Sequence, residues 1–184
     1  MPDLPVWRPT LGAKRFSTAA TVLMALLGGV SPVSAQAPPP TRVWLAAGAG
    51  PGGASDGAGG LAGTLNLSAL RGPHQLSLRL AAATPVFYSG ASADEVSVLY
   101  SRALRGSAGH LSAGGGLGVT SRDPCNGDGP ACDAERAIAV AIGAEAALRV
   151  FPVAGLGAQL FVNLSRLGYM GGVAVFVQIG WLPR

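Results

Sequence analysis

The chain has 184 residues, of which 49% are apolar, only 12% charged and 28 are glycine, with a net charge of +4. Little charge with much apolar content excludes a disordered chain, and the absence of Glu/Lys/Leu heptads excludes a coiled coil. So small a positive charge argues against a nucleic-acid partner, and two cysteines are too few for a disulfide-held scaffold or a four-ligand zinc site.

Residues 1–37 read as a signal peptide. Arg8, Lys14 and Arg15 form a basic start, an apolar run extends from about Thr18 to Val30, and Ala35-Gln36-Ala37 supplies a small-x-small cleavage site. That run is short of the roughly 20 residues a spanning helix needs. Its removal leaves ten arginines, eight acids and no lysine, a net +2. Export would carry Cys125 and Cys132 into an oxidising compartment, where a disulfide closing six residues is expected.

Residues 38–184 then read as one all-β domain of eight strands. The pattern is period two. A first strand covers about 41–50. The second alternates Leu61, Gly63, Leu65 and Leu67 with Ala62, Thr64, Asn66 and Ser68. The third alternates Leu76, Leu78 and Leu80 with Gln75, Ser77 and Arg79. A fourth (94–103) and fifth (108–120) lead to the sixth, in which Ile138, Val140 and Ile142 face away from Ala139, Ala141, Gly143 and Glu145. The seventh covers 153–165. The eighth sets Val173, Val175, Val177, Ile179 and Trp181 against Ala174, Phe176, Gln178 and Gly180. No stretch after the leader makes a helix span, because Glu145, Arg149 and Pro152 interrupt the most apolar region.

The connections separate by length. Three short ones follow the repeated tripeptides Ala69-Leu70-Arg71, Ala103-Leu104-Arg105 and Ala147-Leu148-Arg149. The others, about 51–57, 84–93, 121–135 and 166–171, are expected to be long and polar. Arg42, Arg71, Arg102, Arg105, Arg149 and Arg184 gather at the short-turn end, while Asp56, Asp94, Glu95, Asp123, Asp128, Asp133 and Glu135 gather at the other. In lipid every backbone polar group needs an internal partner, so an exported β chain with an apolar outer face must close into an antiparallel up-and-down transmembrane barrel. Tyr100, Trp181, Tyr88 and Tyr169 then fall where an aromatic girdle would lie.

This layout resembles the small eight-stranded bacterial outer-membrane β-barrel proteins, the class of the OmpA and OmpX transmembrane barrels. The resemblance implies a Gram-negative outer membrane, with membrane lipid and the barrel-assembly machinery as partners. Val175, Val177, Ile179 and Trp181 are similar to the assembly signal of that class, although Leu182-Pro183-Arg184 follow where the signal usually ends.

Among inward positions, Arg79 and Glu145 are expected to meet, directly or through water, in a lumen polar cluster with Gln159 and Asn163. The loop at 121–135 offers carboxylates to calcium, without the EF-hand spacing. Gly48-x-Gly50-x-x-Gly53 matches a dinucleotide fingerprint, but Pro51 interrupts it and no helix follows, so no cofactor is implied. His110-x-Ser112 is similar to the His-x-Ser of outer-membrane lipid A deacylases, with Glu145 or Glu135 to orient the imidazole. His110 and His74 nevertheless lie just past equivalent short turns, the end opposite that family's site, and both are expected to be interfacial. The reading is therefore a non-enzymatic barrel, structural or adhesive through acidic extracellular loops whose ligand the residues do not name. Three alternatives stay open: a narrow porin-like channel, a lipid A-modifying hydrolase, and a soluble lipocalin-like periplasmic barrel.

Overall fold

The computed structural model describes residues 39–55, 59–85, 92–123 and 134–183. The leader, the cysteine pair Cys125 and Cys132, Tyr88, Asp56, Asp128 and Asp133 lie outside these residues. Eight strands follow one another as β1 (Arg42–Ala54), β2 (Gly59–Arg71), β3 (His74–Pro85), β4 (Ser92–Arg105), β5 (Gly109–Asp123), β6 (Glu135–Phe151), β7 (Ala154–Ser165) and β8 (Gly168–Gly180). Each pairs antiparallel with its neighbour, and β1 pairs with β8, closing the barrel. Strands of 12 to 17 residues rise about 3.3 Å per residue. Even tilted by ~40°, they cross a hydrocarbon core about 30 Å thick.

The alternation is inside-out. On β8, Val173, Val175, Val177 and Ile179 are 46–67% exposed, whereas Ala174, Phe176 and Gln178 between them are at most 1% exposed. On β3 the exposed side chains are Leu76, Leu78 and Leu80, and the buried ones are Gln75, Ser77 and Arg79. A lipocalin-like barrel would bury the leucines instead, so the soluble alternative fails on its own criterion. A belt this apolar is far larger than the patches water tolerates on a monomer, and lipid is the solvent that accepts it.

Several boundaries differ from the sequence reading. β1 continues through the Gly48–Gly53 segment to Ala54, so the supposed fingerprint is strand. Pro51 is accommodated because the β1–β8 ladder is interrupted at Gly50 and Pro51, where a missing N–H costs nothing. β4 begins at Ser92, two residues before the expected start at 94, so Asp94 and Glu95 lie within the strand as its expected bounds had them. The expected long connection 166–171 is only Arg166 and Leu167. The Ser165 hydroxyl fastens that turn, accepting from Leu167 N at 3.1 Å and donating to Gly168 O at 3.2 Å, while Gly168 takes φ +113°.

The short turns form as expected. Gly72 at φ +60° followed by Pro73 suits a two-residue hairpin whose first central position favours glycine. The Ala-Leu-Arg repeat marks three hairpin ends, but its phase changes: Leu70 is buried inward, whereas Leu104 and Leu148 are 62% and 63% exposed.

Candidate functional site

Eight strands enclose only enough width for side chains to fill, and the lumen is filled in layers. At the short-turn end Trp44, Leu70, Ala103, Ala147 and Phe176 pack with Leu182, and Pro183 is also fully buried. After Gly180 the chain turns inward: Trp181 stays 71% exposed on the belt, while Leu182 enters the mouth and its carbonyl accepts from Arg42 Nη1 at 2.7 Å. Sequence reasoning treated Leu182 and Pro183 only as a departure from the assembly signal; they stopper the barrel.

The next layer is polar. His110 Nε2 lies 3.1 Å from Glu145 Oε1, Gln75 Nε2 donates to the same oxygen at 2.8 Å, and Ser112 stands opposite Glu145 on the neighbouring strand. The hydroxyls of Ser68 and Ser77, opposite one another on β2 and β3, are 2.8 Å apart. His110 is therefore a lumen residue, 6% exposed and edge-on to Trp44 with ring centroids 5.3 Å apart. The interfacial reading holds for His74, which is exposed and paired with Tyr100, and fails for His110. The reason is parity, since even positions of β5 point inward from His110 to Thr120. The imidazole Nε2 takes Glu145 as its partner, and no hydrogen bond between His110 and Ser112 is among the described contacts.

Across the middle, Asn66 Nδ2 donates to Gln159 Oε1 at 2.8 Å, and Gln159 Nε2 donates to Thr64 Oγ1. Above it, Arg79 Nη2 donates to Asn163 Oδ1 at 2.6 Å and to Glu95 Oε1 at 3.3 Å, with its guanidinium 5.4 Å from the Phe161 ring centroid. Of the four lumen residues read from sequence, Arg79 meets Asn163 directly and Glu145 meets His110 and Gln75, while Arg79, Glu145 and Gln159 line one void. Arg79 takes Glu95, not Glu145, as its carboxylate. Glu95 stands opposite Ala81, one inward step from Arg79 on the neighbouring strand, and was missed because it was grouped with the acids of the loop end although its strand position points inward. A remaining void of about 30 Å³ holds about two waters at ~10–15 Å³ each. Gln75 Oε1 and Arg79 Nε border it without a protein partner.

The loop end is closed as well. Ala54, Ala62, Ala81, Ala83, Ala93 and Met170 pack around Phe161. Arg122 of β5 reaches to the opposite wall, donating to Leu167 O at 2.8 Å and Ser55 Oγ at 3.2 Å. Among the described residues no three metal-ligating side chains come together.

An inverted, closed, eight-stranded antiparallel barrel packed with its own side chains is the architecture of the small outer-membrane β-barrel proteins. Among solved structures the chain is similar to Neisserial surface protein A (12% identity, TM-score 0.62, covering 78% of this chain and 99% of that one). It is also similar to a major outer membrane protein from Thermus thermophilus (12%, TM-score 0.52, 76% and 98%). A third likeness is to the N-terminal β-barrel domain of Pseudomonas aeruginosa OprF (13%, TM-score 0.52, 78% and 99%). At such identities the likeness is one of fold. No family model and no curated protein matches the sequence.

Proposed function

We propose that the chain is exported by its 1–37 leader to a Gram-negative outer membrane, where it is a non-enzymatic barrel acting through its loop rim. The observation that carries this is the filled lumen. Two polar layers, one around Arg79–Glu95 and one around the His110–Glu145 contact, lie between the Leu182 stopper and the Arg122 strap, leaving room for about two waters and no path for a solute. A barrel that conducts nothing has its outer surface and its loops as working parts. The strap ties Ser55 and Leu167 to β5, so it holds that rim in one shape. The short turns face the periplasm in this reading, and the opposite rim faces outward.

Planar-bilayer recording of the refolded mature chain tests the proposal. The expected record is a silent membrane alongside a heat-modifiable gel shift that reports a folded barrel. Steady conductance from the folded protein would instead support the porin-like alternative.

A further inference from the structure

At the short-turn end one outward cluster has no part in filling the barrel. Arg71 ends β2, His74 begins β3, and Arg102 lies near the end of β4. His74 stands directly opposite Arg71 on one side and Arg102 on the other. All three share the outward parity of the leucine belt, and so does Tyr100. The Tyr100 hydroxyl lies 2.6 Å from His74 Nδ1, and the two rings are 5.9 Å apart. With the phenol donating to Nδ1, the imidazole keeps its hydrogen on Nε2 and presents a donor outward. Leu76, opposite Tyr100, belongs to the exposed apolar belt, so the cluster sits where acyl chain gives way to headgroup.

Charge decides what suits this place. Neither Arg71 nor Arg102 forms a salt bridge among the described residues. The described acids are elsewhere: Asp94, Glu95, Asp123 and Glu135 toward the loop end, and Glu145 inside. Two guanidiniums flanking one imidazole repel each other, and an anion between them turns that repulsion into attraction. A phosphate diester supplies one negative charge and acceptor oxygens suited to forked guanidinium donors. The seat opens sideways over Leu76, so a phosphate bearing acyl chains fills both halves, whereas a free phosphate leaves the apolar half empty.

We infer that Arg71, His74, Tyr100 and Arg102 form a binding seat for the phosphate of an anionic phospholipid in the leaflet at the short-turn end. The inference rests on the membrane reading above and adds a lipid selectivity to it. The test is native mass spectrometry of the folded mature chain, released from micelles doped equally with phosphatidylglycerol and phosphatidylcholine of the same acyl chains. The expected result is retention of phosphatidylglycerol over phosphatidylcholine by about thirtyfold, the order that two arginines at about 1 kcal/mol each give at an anionic surface. The preference should fall to near parity in Arg71→Gln/Arg102→Gln, persist in Arg136→Gln/Arg166→Gln at the other rim, and resist excess inorganic phosphate. Parity in the native chain, preference kept by the first variant, equal loss in the second, or displacement by free phosphate would each overturn it. Heat-modifiable mobility is read on every sample. A folded barrel without selectivity defeats this inference alone, while a chain that never folds in lipid defeats the membrane reading beneath it.

Discussion

Arg79 and Glu95 form an ion pair inside the barrel: Nη2 lies 3.3 Å from Oε1, and the two side chains are 4% and 0% exposed. A pair this dry is worth less for its attraction than for what is left when one partner goes. Glu95→Ala should lower the unfolding free energy in vesicles by about 3–5 kcal/mol. Replacing both charges, as in Arg79→Met/Glu95→Leu, should restore most of that loss. Denaturant titration of the three chains checks it, and equal losses in the single and double variants would mean the pair is not the reason.

Phe176 and Gly157 form a second coupled site. A methyl on Gly157 would come within 2.4 Å of Phe176 Cζ and 2.5 Å of the Ala146 carbonyl. Gly157→Ala should therefore destabilise the barrel by about 1–3 kcal/mol. Adding Phe176→Leu should recover part of the loss, and the same titration measures the coupling.

The stopper at the short-turn mouth can be removed outright. Deleting residues 182–184 takes away the buried Leu182 and exposes Trp44, which is 2% accessible in the intact chain. In a mature Trp181→Phe chain, whose one tryptophan is Trp44, the deletion should red-shift the emission. It should also cost about 2–4 kcal/mol, as for losing a buried leucine. Unchanged emission would place Leu182 outside the mouth.

His110 pairs with Glu145, which stands opposite Ser112, and the proposed non-enzymatic role can be tested on these residues. The native chain should release no acyl groups from lipid A, and Ser112→Ala should be indistinguishable from it by product analysis. Acyl release that Ser112→Ala abolishes would restore the enzyme reading.

The strand count and the inversion were legible because the period of two holds within each strand, and within a strand parity assigns each side chain to lumen or lipid. The same parity places His110 inside, in step with Ser112 and Thr120, but nearness to a turn outweighed it. Arg122 was hidden for a related reason, since it fell in the expected connection 121–135 although β5 runs on to Asp123, and Glu95, inside its expected strand, was grouped with the loop-end acids instead of being followed inward by parity. The Arg166-Leu167 turn has no glycine or asparagine between its strands; it depends on the Ser165 hydroxyl, a contact that composition does not show. Leu182 and Pro183 were unreadable because their burial follows a chain reversal after the last regular strand. The arrangement of Arg71, His74 and Arg102 needed the register, which brings together residues far apart in sequence.

The account stands on which face of the strands meets the acyl chains, and fluorescence quenching measures that directly. Single tryptophans placed at Leu78 and at Val175, in a Trp44→Phe/Trp181→Phe background of the mature chain, would be refolded into bilayers with bromine on the acyl chains. The barrel described here predicts strong quenching at both positions. Bright, unquenched emission from a folded chain at Leu78 and Val175 would show those faces turned away from lipid and would contradict it.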